Sequence, residues 1–419
     1  MGLPKIAVLH YSSPPVVGGV ESVMQAHVHL FLESGYKTTV VSGNGDKDAL
    51  PVGAEFIRIP EMDSGNPHVA SLTRDLEKGR VPENFSNLTT DLANALRPIL
   101  SSNDLLIIHN VFTKHFNLAL TAALFQLLDQ NTIRRCIAWC HDFTWTSPHS
   151  RSKVFPGYPW DLLRTHRADV TYVSISHARQ IELANLFGCP PEQIRVIYNG
   201  VNPQELLGLS KTGIDLMDRL GLWDSDLNLL MPVRVTQAKN IELAINVATI
   251  LKHQGIHPKI VITGPPDPHD EQNMEYFRSL QALRKKSGVE EEVRFVFESG
   301  SDTDEPLTVD MSVVGELFRM SDALFMPSHR EGFGMPVLEA GLVGIPVFCS
   351  DHVPAAKEIG GENVILFDPD AGPEKIAELI LDWTKNSSVH HLRQRVRQRL
   401  MWKSIFQNEI VKLLNENPL

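Results

Sequence analysis

Cysteine is scarce in this chain, with four in 419 residues. So few do not make a disulfide framework, and a reducing cytoplasmic setting is expected. Nor do they make a zinc corner. Cys136, Cys140 and His141 lie close together, but no second pair repeats their spacing, so no metal is expected. Long apolar runs are missing: nothing approaches the roughly 18 residues of a membrane span. The N-terminus leads straight into an apolar strand, without the basic-then-apolar pattern of an export signal. Surplus positive charge is missing too. A formal net charge of −11 offers nucleic acid no basic face. Residues 1–200 carry 17 Lys+Arg against 18 Asp+Glu, so nearly all the excess acid falls in the second half. Finally, the loop after the first strand lacks G-x-G-x-x-G, which counts against a dinucleotide cofactor and an NAD-dependent oxidoreductase.

What is present is the composition of a soluble globular protein, 42% hydrophobic and 21% charged. At this length two domains are expected. Short apolar runs alternate with helical patterns. Lys5–His10 reads as a buried parallel strand, 20–33 as a helix closed by Gly35, and Thr38–Val41 as the next strand. Strands follow at 56–59, 104–108, 135–140 and 170–176. The pattern restarts at 227–233, 259–264, 293–297, 323–326 and 345–349, and a basic helix is expected over 391–414. Such alternation predicts an α/β fold with parallel sheets. His10, His109 and His141 fall at the carboxyl ends of their strands, where open α/β sheets bind ligands. A lone histidine there is ordinary; three along one edge point to a site. The aromatic, proline-rich stretch 144–160, with Trp145 and Tyr158, has the composition of a loop that could clasp an acceptor.

The densest signal is Ser328–Ala340. The run Ala323–Met326 leads into Glu331-Gly332-Phe333-Gly334-Met335-Pro336, and a helix continues from Val337. Two glycines let the backbone turn sharply and approach a ligand. A helix N-terminus presents free N–H groups and the positive end of the dipole to an anion. Glu331 and Glu339 bracket this turn with seven residues between them. Carboxylates would repel a phosphate, so their place is beside hydroxyls. A diphosphate with a sugar on either side, a nucleotide sugar, meets both demands. Arg234 and Lys239 lie between a strand and the helix from Ile241, a placement suited to a diphosphate. Four D-x-D triplets (Asp46/Asp48, Asp224/Asp226, Asp302/Asp304, Asp368/Asp370) sit in turns and read as caps.

With these residues in view, the chain resembles the family-4 retaining glycosyltransferases of the GT-B fold. The resemblance runs over nearly the whole chain and is densest from Arg234 to Glu339. It implies two Rossmann-like domains, 1–200 and 201–390, facing across a cleft, with 391–419 as a C-terminal helix crossing back to the first. Asn199-Gly200-Val201 is similar to the family's segment at the domain junction. By resemblance His141 is the active-site histidine, Glu331 and the amides of Gly332, Phe333, Gly334 and Met335 hold the donor sugar, and Glu339 holds the ribose. Arg234 and Lys239 hold the diphosphate, Gly18, Gly19 and Gly264 lie in donor-side loops, and His109, Trp145 and Tyr158 fall on the acceptor side. The implied reaction moves a hexose from UDP-glucose or GDP-mannose to a small polar acceptor such as a sugar or glycosylglycerate, without metal. A lipid or polysaccharide acceptor, a silent nucleotide-sugar-binding protein and homo-oligomerisation are left open.

Overall fold

The computed structural model describes residues 2–267, 269–300 and 307–416. Two compact units emerge: residues 1–200 with 402–419, and residues 201–401. Unit 1 contains β1 (Ile6–Leu9), β2 (Thr38–Ser42), β3 (Glu55–Arg58), β4 (Leu105–His109), β5 (Cys136–Cys140), β6 (Val170–Ser174) and β7 (Ile194–Val196). They form one parallel sheet in the order β3-β2-β1-β4-β5-β6-β7. Unit 2 contains β8 (Leu227–Met231), β9 (Pro258–Ile262), β10 (Val293–Phe295), β11 (Ala323–Met326), β12 (Val347–Ser350) and β13 (Ile365–Phe367), parallel in the order β10-β9-β8-β11-β12-β13. Each order reverses direction beside its first strand, as in doubly wound folds. The central strands are buried on both faces, which is why they read as continuous apolar runs.

Strand alternation sorts the residues of unit 1. Ala7, Leu9, Leu106, Ile108, Cys136, Ala138 and Cys140 join one core. Register places His109 beside Trp139 on the opposite face. His141, two residues past Trp139, shares that face, so Cys136 and Cys140 point away from it. The helix Gly19–Glu33 covers this face together with the C-terminal segment, as Phe31 against Phe406 shows at 6.1 Å between centroids.

The C-terminus departs from the expected single helix over 391–414. One helix spans Ser388–Arg399 and belongs to unit 2. Its Arg397 grips the buried Asp322 with two bonds of 3.0 Å and donates to the Ser225 carbonyl at 2.9 Å. The chain then breaks: Met401 bridges Val201 and helical structure resumes at Trp402. The return to unit 1 therefore starts at Trp402, not at 391. Two of the basic residues that looked like the start of a crossing helix, Arg393 and Arg397, are held by Asp322 in unit 2. Between 61 and 84, read as loop or short helix, Pro67–Leu76 is helical.

Candidate active site

The carboxyl edge of the unit 1 sheet gathers the three histidines. His10 Nδ1 donates to the His109 carbonyl at 2.8 Å, and His109 Nδ1 lies 3.2 Å from His141 Nε2. All three are buried. Burial lowers the His141 pKa to about 4, helped by the nearby His10, and pushes His109 well below the ordinary imidazole range. These are neutral rings at physiological pH, suited to hydrogen bonding with an uncharged hydroxyl. The loop after β5 is fixed from behind by Asn110, whose Oδ1 accepts from the backbone N–H of His141 at 2.8 Å and of Asp142 at 3.2 Å. Asn110 adopts φ 61, a left-handed conformation that asparagine tolerates better than most residues.

Gly18 is the N-cap of the first helix, and a Cβ there would fall 2.1 Å from Glu21 Oε2; Gly19 has open space around it. Glu21 accepts from Ser12 at 2.6 Å and stands 3.8 Å from His10 Nε2. A carboxylate thus already occupies this helix N-terminus. Among the acceptor-side candidates, Trp145 is constrained. Its Nε1 donates to the Trp160 carbonyl at 3.2 Å, and Arg164 stacks on its ring at 4.2 Å. Tyr158, 60% exposed with its ring edge against Phe85, is open to solvent. Lys153 is engaged by Glu77 at 3.0 Å.

In unit 2, Lys239 Nζ lies 2.7 Å from Glu331 Oε1, and Ser328 donates to the same oxygen at 3.0 Å. The backbone N–H of His329 donates to the Ala238 carbonyl at 2.9 Å, tying the Lys239 loop to the glycine turn. Gly334 has φ 103, and a Cβ there would meet Val353 Cγ1 at 2.4 Å, so only glycine fits the turn into the helix Met335–Val343. Gly332 is open, and the Phe333 carbonyl accepts from the Ala355 N–H at 2.9 Å. Gly264 lets the loop after β9 close on Arg234, because a Cβ would sit 2.6 Å from the Val233 carbonyl and 2.8 Å from Arg234 Cα. Arg234 is exposed and Glu339 half-buried; neither has a side-chain partner among the described residues. The structure thus brings together Lys239 and Glu331, and Arg234 and Gly264, within one unit.

Three described D-x-D triplets hold local structure. Asp46 accepts from the Asp48 N–H at 3.0 Å, Asp226 from the His257 N–H at 2.8 Å, and Asp368 from the Asp370 N–H at 2.9 Å. Asp302 and Asp304 lie outside the described residues. Four contributors escaped the sequence reading: Glu21, His27, Asn110 and Ser328. Asn110, directly after a strand-end histidine, and Ser328, at the head of the Ser328–Ala340 stretch, carried a local signal. Glu21 and His27 depend on which helix covers which strand.

Residues 17–205 match the family described as Glycosyltransferase Family 4, and residues 217–399 the one described as Glycosyl transferases group 1. A glycosyltransferase of Methanocaldococcus jannaschii is 26% identical over 246 residues, 57% of this chain and 58% of that protein. A mannosylglucosylglycerate synthase of Petrotoga mobilis is 25% identical over 288 residues, 64% of each chain. The aligned stretches therefore span about three fifths of these relatives' own lengths. Anabaena HepE, solved in complex with UDP, is 18% identical, with 98% of this chain and 99% of that chain covered and a TM-score of 0.35. One glycosyltransferase family model thus matches the first half of the chain and another the second, each over a parallel α/β sheet.

Proposed function

We propose that the protein is a retaining hexosyltransferase that uses UDP-glucose or GDP-mannose, needs no divalent metal and glycosylates a small polar acceptor. The observation that carries this reading is the Lys239–Glu331 pair beside the Gly332–Gly334 turn, which sets a cation and a hydroxyl acceptor at one helix N-terminus. Arg234, Lys239 and that N-terminus would hold the diphosphate, Glu331 and the turn amides the hexose, and Glu339 the ribose. His141 would meet a sugar hydroxyl. In the reaction the bond from the anomeric carbon to the diphosphate breaks, and the acceptor oxygen bonds to that carbon on the same face. The acceptor proton passes to the leaving phosphate. No carboxylate acts as nucleophile, in contrast to retaining glycoside hydrolysis. Charge grows on the departing diphosphate, and fixed cations there lower the barrier.

A sugar or glycosylglycerate acceptor is in keeping with the similarity to the Petrotoga mobilis synthase. No helix among the described residues is long and apolar enough to cross a membrane. A thermal-shift screen of the two donors, followed by turnover with candidate acceptors, tests the reading, since a ligand of the folded state raises its stability. Stabilisation by one donor and an α-linked product are expected. No shift with either donor, or an inverted product, overturns it. Tight co-sedimentation with anionic vesicles, abolished by Arg151→Glu with Lys153→Glu, would instead assign a lipid acceptor.

A further inference from the structure

Behind His109 four buried ring nitrogens lie close together without partners among the described residues. His27, wholly buried in the first helix, has no hydrogen-bond partner on either ring nitrogen among the described residues. The same holds for His109 Nε2 and Trp139 Nε1. The rings are mutual neighbours: His27 is 4.5 Å from Trp139, 5.4 Å from His109 and 5.3 Å from Trp402 between centroids, and His109 and Trp139 stack at 6.1 Å. Buried polar atoms are normally satisfied, by protein or by an internal water with two to four partners.

We infer that His109 is a positioning residue: its Nδ1–H donates to His141 Nε2, and His141 therefore presents Nδ1–H outward as a fixed donor. The argument is a balance of donors and acceptors. Trp139 Nε1 can only donate, and a neutral His27 supplies one donor and one acceptor. With a proton on His109 Nε2 the cluster would hold three donors and one lone pair. Without it there are two of each, so one buried water can accept from both N–H groups and donate to both lone pairs. The proton of neutral His109 is then on Nδ1, which faces His141 Nε2 at 3.2 Å. His141 Nδ1 is not among the buried, partnerless atoms and is the ring nitrogen left to face a ligand. Burial lowers the pKa of His27 to about 3, in keeping with a cluster of neutral rings. The tautomer stands apart from the function proposed above; its use, donation to a sugar hydroxyl, rests on that function.

The test uses the full chain with ¹⁵N-labelled histidine and long-range ¹H–¹⁵N spectra near neutral pH, with His141 assigned from a His141→Gln variant. Wild-type His141 should show a protonated Nδ1 and an unprotonated Nε2. In His109→Leu that preference should relax to a mixture. In His109→Asn, whose amide can occupy the Nδ1 position, it should return, and kcat/KM with UDP-glucose or GDP-mannose should recover with it. A wild-type His141 protonated at Nε2 overturns the inference even if no variant folds. So does a tautomer unchanged in His109→Leu. A wild type that turns over neither donor overturns the function proposed above and not the tautomer, which is read without substrate.

Discussion

Lys239 and Glu331 are paired at 2.7 Å while only 19% and 12% exposed, so two of the residues assigned to one donor already neutralise each other. Removing either side chain should cut transfer at least about tenfold, because a charge-assisted hydrogen bond contributes on the order of 1.5–3 kcal/mol. Lys239→Ala and Glu331→Ala, assayed with saturating donor after circular dichroism has shown them folded, check this. Near-normal turnover removes that residue from the site.

Gly332 and Gly334 should respond differently to alanine. At Gly334 the positive φ and the Val353 clash strain the fold itself, so Gly334→Ala should lower stability by about 1–3 kcal/mol. At Gly332 a Cβ meets nothing within 4 Å, so Gly332→Ala should melt like the wild type. If a sugar approaches this backbone closely, the same variant should lose most of the donor-induced thermal shift. An unchanged shift would show that the donor does not reach Gly332.

Acid should weaken unit 1 through its buried histidines. The folded pKa of His27 is lowered by burial to about 3, so between there and 6.5 the unfolded chain binds the extra proton. Stability therefore falls as pH drops from 6.5, and above it this group contributes no pH dependence. At pH 5 the loss from His27 alone is about 2 kcal/mol. His27→Leu should shrink the difference in urea stability between pH 7 and pH 5 by about that amount. Identical pH dependence in both proteins would mean that His27 is not held neutral.

Activity should persist in excess chelator. In each of the three described D-x-D triplets one carboxylate accepts from a backbone N–H group. Loss of transfer on adding chelator, restored by magnesium or manganese, would return a triplet to the mechanism.

Much of the fold was legible because a buried parallel strand leaves an uninterrupted apolar run, and Glu331, Gly334 and Lys239 sit at the ends of such runs. The histidine edge was legible for the same reason: His109 and His141 each end a strand. What bonds to what was not. Nothing local says that Lys239 turns to Glu331, or that His27, on an apolar helix face with Met24, Val28 and Phe31, meets Trp139. The C-terminal break was hidden for a related reason. Val396, Met401, Ile405 and Phe406 keep an apolar spacing across it, while the hold of Asp322 on Arg397 comes from the residue before β11, 75 positions away.

The return of Trp402 to unit 1 also dictates an order of events at the ribosome. His27 and Phe31 are made early, yet the aromatic residues that cover them, Trp402 and Phe406, are made after the whole of unit 2. At about 5–20 residues per second, roughly 20–75 s separate the two. Until then the helix Gly19–Glu33 carries His27 and Phe31 without the two rings that complete their packing.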